Sequence, residues 1–273
     1  MVIRELKNGS CWVSTQEDHA ELSAQFAAHW GNNKFSRLRP YNTMVLATTF
    51  HDSGYREWEG NPPINLAKGR PYAHRETIPS FETVELQAYA QNVQWLRARD
   101  RYASLLVSMH RTGLWANRYD VFKSPHGKVR ERSPEVMAAK QALEGDQEQE
   151  RNLLSEQNPA FANELWVNFR ALQIFDLLSL YFCCDGYAGD NEFKDDLISP
   201  VPVSYDSKEE LELRILPVAS TTVRFAPYPF DVSPLKVTVR TRALALEKFA
   251  SQDEGLAAYH KAPRQLLSFE IVS

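Results

Sequence analysis

Five residues of this 273-residue chain have the chemistry of metal ligands: His19, the adjacent pair His51-Asp52, His110 and Asp176. An imidazole nitrogen and a carboxylate oxygen together suit first-row transition metals such as iron, manganese, nickel or zinc better than calcium. Taken singly, each has a plainer reading. A core histidine is usually satisfied by a neighbour, a buried aspartate by a distant arginine, and a His-Asp dipeptide arises by chance. Their joint placement on helical faces raises them above those readings.

Ser14-Thr15-Gln16-Glu17 matches a capping box, a hydroxyl followed three residues later by a carboxylate that together satisfy the first free amides of a helix. The helix it opens should run to about Trp30 and end at Gly31-Asn32-Asn33. His19, Leu22, Phe26 and Trp30 share one of its faces, so His19 points toward the core and His29 away from it. A second helix is predicted over residues 41–52, stopped near Gly54. It places His51-Asp52 at a helix C-terminus, whose partial negative charge favours a cation.

Two helices are predicted over 80–96 and 99–115. The second carries His110 in a stripe with Ala103, Leu106, Val107 and Leu114. The most apolar helix, 159–184, aligns Leu165, Phe169, Leu172, Asp176 and Ser179. Asp176 lies between Phe175 and Leu177, with no basic residue within four positions. A carboxylate in such a stripe costs several kcal/mol unless it is paired or coordinates a metal.

The other segments are scaffolding. Asn8-Gly9 turns a hairpin within residues 1–13. Residues 60–79 read as a long Pro- and Gly-containing loop, 124–133 as a polar connection and 134–156 as a solvated helix. Glu57 and Glu59 read as solvated rim residues. After residue 185 the chain turns β-rich, with strands predicted at 211–216, 221–225, 235–241 and 267–272. These signals predict a mainly α, even all-α, protein. Its helical metal-binding body covers 14–185, and a β-rich segment, 186–273, forms a small sheet with the N-terminal hairpin.

Composition excludes several classes. The net charge is -4, the pI is about 6.0, and no basic stripe tracks a phosphate backbone, so nucleic acid is not an expected partner. Residues 1–14 lack the apolar core of a signal peptide, and the apolar run near 177–184 is too short for a membrane span. The cytoplasm is therefore the expected location, with self-association left open. Three cysteines without zinc spacing argue against a disulfide framework or a structural zinc site. P-loop, dinucleotide-binding and serine-hydrolase motifs are absent.

The ordered set of His19, then His51-Asp52, then a late Asp176 resembles the HD-domain superfamily of helical metal-dependent phosphohydrolases. The resemblance covers about residues 14–185 and implies an HD-like helical bundle in which these four residues converge on one divalent transition metal. Members with two metals add two histidines. Here those would be His110 and His74, the latter set in a Pro-rich loop poorly suited to a preorganised ligand. One ion is expected, and two remain open. The stretch from His51 through Glu59 is also similar to a little-studied bacterial family of unknown function that carries the same constellation and a β-rich tail.

The superfamily resemblance implies hydrolysis of a phosphorylated small molecule or nucleotide. Asp52 would bind through one oxygen and orient a water with the other, and His110 would donate a proton. Lys68, His74, Arg75 and Arg111 would hold the small anionic substrate. Two other classes stay open: a di-iron oxygenase of the same superfamily, and a non-catalytic sensor or interaction module.

Overall fold

The computed structural model describes residues 1–76, 78, 81–115, 132–185 and 194–273. Strands β1 (Val2–Glu5) and β2 (Ser10–Ser14) form an antiparallel hairpin. Gly9 at its turn has φ 77°, a conformation that glycine adopts without steric cost. Helix α1 (Gln16–His29) follows. Its capping box sits one residue later than the sequence suggests: the Thr15 hydroxyl accepts from the Asp18 amide, and the Asp18 carboxylate accepts from the Thr15 amide. Ser14 still belongs to β2, where its hydroxyl donates to the Arg240 carbonyl (3.1 Å), so Thr15 is the first residue free to cap.

Helix α2 (Tyr41–Phe50) leads into one 3-10 turn (Ser53–Tyr55) and the short α3 (Arg56–Gly60). The expected loop at 60–79 contains a small hairpin, β3 (Ile64–Asn65) and β4 (Arg70–Pro71). Buried Arg70 ties it down by donating to Glu5 (2.8 Å) and to both oxygens of Glu76 (2.9 and 3.0 Å). Ion pairs leave no hydrophobic period, which is why this order is invisible to pattern reading. Helices α4 (Phe81–Arg97), α5 (Arg101–Trp115), α6 (Pro134–Gln157) and α7 (Phe161–Leu180) complete the helical layer, α7 continuing into a π-turn (Tyr181–Asp185). Most of the connection expected at 124–133 lies outside the described residues.

The last third of the chain adds β5 (Asp196–Pro202), β6 (Glu210–Ala219), β7 (Thr222–Ala226), β8 (Leu235–Ala245), α8 (Gln252–Lys261) and β9 (Arg264–Val272). All but the α8 helix join the N-terminal hairpin in one seven-stranded sheet of order β1-β2-β8-β9-β7-β6-β5, parallel only between β7 and β9. This overturns the expectation of a mainly α or all-α bundle with a small sheet: about 50% of the described residues are helical and 23% are in strands. Two causes explain the miss. Prolines within β5 and β6 interrupt the alternating pattern, and the pairing that enlarges the sheet is long-range, as in Ser10 against Ala245.

The sheet is half of the core rather than an appendage. Val237, Val239, Phe225 and Phe269 pack in the same buried cluster as Leu22 and Phe26 of α1 and Leu172 and Phe175 of α7. Where the β2–β8 pairing ends, α1 takes over the free strand edge. Gln25 accepts from the Thr238 amide (2.9 Å) and donates to the Thr238 carbonyl (2.8 Å), satisfying both backbone groups.

The helix Phe161–Cys184 is long and apolar enough by length and composition to cross a membrane, yet 78% of its most apolar window is buried inside the protein. Phe182 at its end stacks within 5.7 Å of Phe26 and 5.1 Å of Phe269. Truncating a core Phe to Ala typically costs about 3–5 kcal/mol. This aromatic anchor lies less than two turns from Asp176 and fixes the helix that carries it.

Candidate metal centre

Helices α1, α2, α5 and α7 bring His19, His51-Asp52, His110 and Asp176 to one buried point. Exposure is 1% for His19, 0% for His51 and His110, 6% for Asp52 and 5% for Asp176. One ligand atom from each of His19, His51 and Asp176 falls within 4.8 Å of the others. Asp52 Oδ2 stands 3.2 Å from His19 Nε2 and 3.9 Å from His51 Nε2. Asp176 Oδ1 stands 3.5 Å from His51 Nε2, and its Oδ2 is 3.6 Å from His110 Nε2. The rings meet edge to face, with centroids 5.0 Å apart for His19 and His51 and 5.3 Å for His51 and His110.

Backbone and hydroxyl contacts set two of the tautomers. His51 Nδ1 is 2.8 Å from the Thr48 carbonyl, which only accepts, so Nδ1 carries a proton and Nε2 is the nitrogen turned to the carboxylates. Ser179 donates its one proton to the Asp176 carbonyl (2.7 Å) and therefore accepts from His19 Nδ1 (2.9 Å). His19 Nε2 in turn lies 3.2 Å from Asp52 Oδ2, within hydrogen-bond reach of the carboxylate. Metal-binding histidines are held in this way, with the second nitrogen donating to a fixed acceptor.

The electrostatics are those of a buried ionic cluster. Burial opposes ionisation of Asp52 and Asp176, but the neighbouring imidazoles outweigh it, with Arg111 adding to the effect at Asp52, and both carboxyls stay well below their usual range. Burial likewise disfavours a charged His51, yet Asp52 and Asp176 drive it up to about 9. His110 goes the other way, pushed by burial down to about 4. Among the described residues, His51 Nε2 is a buried polar atom with no hydrogen-bond partner, facing two ionised carboxylates. This orphaned nitrogen and the mixed imidazole–carboxylate donors fit a divalent transition ion.

The far side of Asp52 is equally built. Its Oδ1 accepts from the Tyr89 hydroxyl and from Arg111 Nη2 (3.2 Å). Arg111 lies flat on the Tyr89 ring, 3.4 Å from the centroid, and its Nη1 donates to Glu85 (2.8 Å). Glu85 also accepts from Arg132 (3.1 Å). On α4, Glu85, Tyr89 and Asn92 follow the i, i+4, i+7 spacing of one helical face. Asn92 donates to the Phe50 carbonyl (2.7 Å) and the His51 carbonyl (3.3 Å), capping the end of α2. Gly54 permits the contact, since a Cβ there would fall 2.1 Å from the Ala88 carbonyl oxygen.

The remaining expected site residues are distributed differently. Arg111, expected to hold substrate, is turned inward at 5% exposure onto Asp52 and Glu85. Lys68 is half-exposed in the β3–β4 turn and pairs with Glu76 (2.6 Å); Arg75 is exposed. His74 is held by its amide, which donates to the Met1 carbonyl (2.8 Å). Burial, with the charges of Arg75 and the Met1 amine adding to it, pushes its imidazole well below the usual range.

Sequence reasoning missed Tyr89, Glu85 and Asn92, whose shared helical face was the available signal. It also misread Glu59. Rather than being solvated, this side chain is buried, accepting from the Gln16 amide (2.8 and 3.0 Å) beside the Met1 amine (3.5 Å).

Residues 1–246 match the family described as a protein of unknown function, DUF3891. The chain belongs to that family. No curated protein and no solved structure matches it. The family's description names no activity, so function rests on the geometry of the centre.

Proposed function

We propose that this DUF3891 member is a metal-dependent hydrolase of a phosphorylated small molecule or nucleotide, with an HD-like centre. The observation that carries the reading is the burial of His19, His51, Asp52 and Asp176 around one point, with Nε2 of both histidines facing the carboxylates. His19 and His51 would hold a divalent ion through Nε2, Asp52 through Oδ2 and Asp176 through its carboxylate. When bound, such an ion polarises a phosphoryl oxygen and lowers the pKa of a water.

The chain's own residues do the rest. The two carboxylates hold the positive charge, and the Thr48 carbonyl and Ser179 keep both imidazoles in the binding tautomer. His110, held neutral at physiological pH by burial, carries no extra proton to give and keeps a lone pair for a second ion. Arg75, exposed beside His74, is the cation proposed to meet an anionic substrate, with Lys68 in the preceding turn.

His110 supports a second reading. Its Nε2, 3.6 Å from Asp176 Oδ2, adds an imidazole to the centre, as a di-iron oxygenase of the same superfamily would require for a second ion. Elemental analysis of the purified protein, with Asp52→Ala as control, separates the readings. One equivalent of manganese, nickel or zinc, lost in the control, supports the hydrolase. Two equivalents of iron support the oxygenase. Absence of metal under chelator-free handling overturns both and leaves a non-catalytic module.

A further inference from the structure

Asp52 is gripped on one oxygen by Tyr89 and Arg111 and turns the other to the histidines. Oδ1 accepts from the Tyr89 hydroxyl and from Arg111, while Oδ2 faces His19 and His51. A carboxylate oxygen has two lone pairs, and both of those on Oδ1 have a donor. We propose that Tyr89 and Arg111 are positioning residues of the metal centre: by occupying Oδ1 they make Asp52 a one-oxygen ligand and hold Oδ2 at the ion. The inference rests on the metal-binding reading above and extends it to residues that touch no ion.

Three observations support it. The contacts are buried, so water does not compete for Oδ1. Arg111 is itself fixed, stacked on the Tyr89 ring and bound to Glu85, which in turn binds Arg132. The helix carrying Tyr89 and Glu85 is locked to the His51-Asp52 turn by Asn92 and by the close approach at Gly54. The arrangement also leaves Oδ1 no free lone pair with which to orient a water, the role that sequence reasoning assigned to it. Water orientation must fall to another group.

The test uses Co2+ as probe, because its visible absorption reports the number and geometry of its ligands. The full-length protein, Tyr89→Phe, Arg111→Lys and Asp52→Ala are titrated with Co2+, and spectra are recorded at saturation. Tyr89→Phe keeps the ring under Arg111 and removes only the hydroxyl. It should bind Co2+ about 10- to 100-fold more weakly, the usual loss for an outer-shell partner, with a shifted spectrum at an unchanged melting temperature. Arg111→Lys, which keeps the charge but not the two-pronged geometry, should move the spectrum in the same direction and decides the matter should Tyr89→Phe not fold.

Wild-type affinity and spectrum in both variants, with binding lost in Asp52→Ala, would overturn the positioning role and leave the metal site intact. A wild-type protein that binds no Co2+ overturns the metal reading and this inference with it.

Discussion

Ser179 Oγ lies 2.9 Å from His19 Nδ1 and gives its own proton to the Asp176 carbonyl, so a single hydroxyl on α7 orients a histidine on α1. Ser179→Ala removes the acceptor and lets the His19 ring rotate or change tautomer. Metal affinity should fall about 10- to 100-fold, as read by competition with a chromophoric chelator. An unchanged affinity would mean that His19 is held by other groups.

Metal binding should stabilise the fold, because the proposed ligands come from three helices that meet only in the native state. At a free ion concentration one hundred times the Kd, the gain is about 2.7 kcal/mol. Thermal melts with and without Mn2+ or Zn2+ should show a rise in Tm for the wild type and none for Asp176→Ala. Equal rises in both would remove Asp176 from the site.

Gly54 is a packing requirement. An added methyl would sit 2.1 Å from a backbone oxygen of α4, which cannot swing away as a side-chain end can. Gly54→Ala should cost roughly 1–3 kcal/mol or more, seen as a lower urea midpoint. It should also weaken metal binding, since separating α4 from the turn pulls Tyr89 off Asp52. Stability loss alone, with metal binding intact, would show that the turn tolerates the displacement.

Glu59 makes stability depend on pH. Burial raises its carboxyl from the ordinary 4.5 to about 7, against the pull of the Met1 amine and the Gln16 amide. The folded state then holds this proton more tightly than the unfolded chain does. Its contribution is therefore fully present below about pH 4.5 and lost as pH rises through about 7, a change of about 3 kcal/mol. Glu59→Gln should remove this component, so the difference in Tm between variant and wild type should grow from pH 5 to pH 8. A difference independent of pH would place Glu59 ionised throughout that range.

The helical faces that carry the converging side chains were legible because helical periodicity is a local property. Backbone hydrogen bonds within a segment fix which residues share a face, so His19 beside Leu22 and Phe26, and Asp176 beside Leu172, could be placed without knowing what they meet. The sheet was not legible in that way. Its strands were found one by one, but their number and order depend on partners such as β2 and β8 more than two hundred residues apart.

The sequence by itself determined which residues are able to bind a metal and which helical faces present them, for those follow from side-chain chemistry and the pitch of the helix. Only the tertiary structure decided that Arg111 serves Asp52 rather than the solvent side and that Tyr89 closes Oδ1. Those contacts join separate elements, and a polar contact between distant segments leaves no period in either one. Its partner is chosen by the packing that brings the two surfaces together.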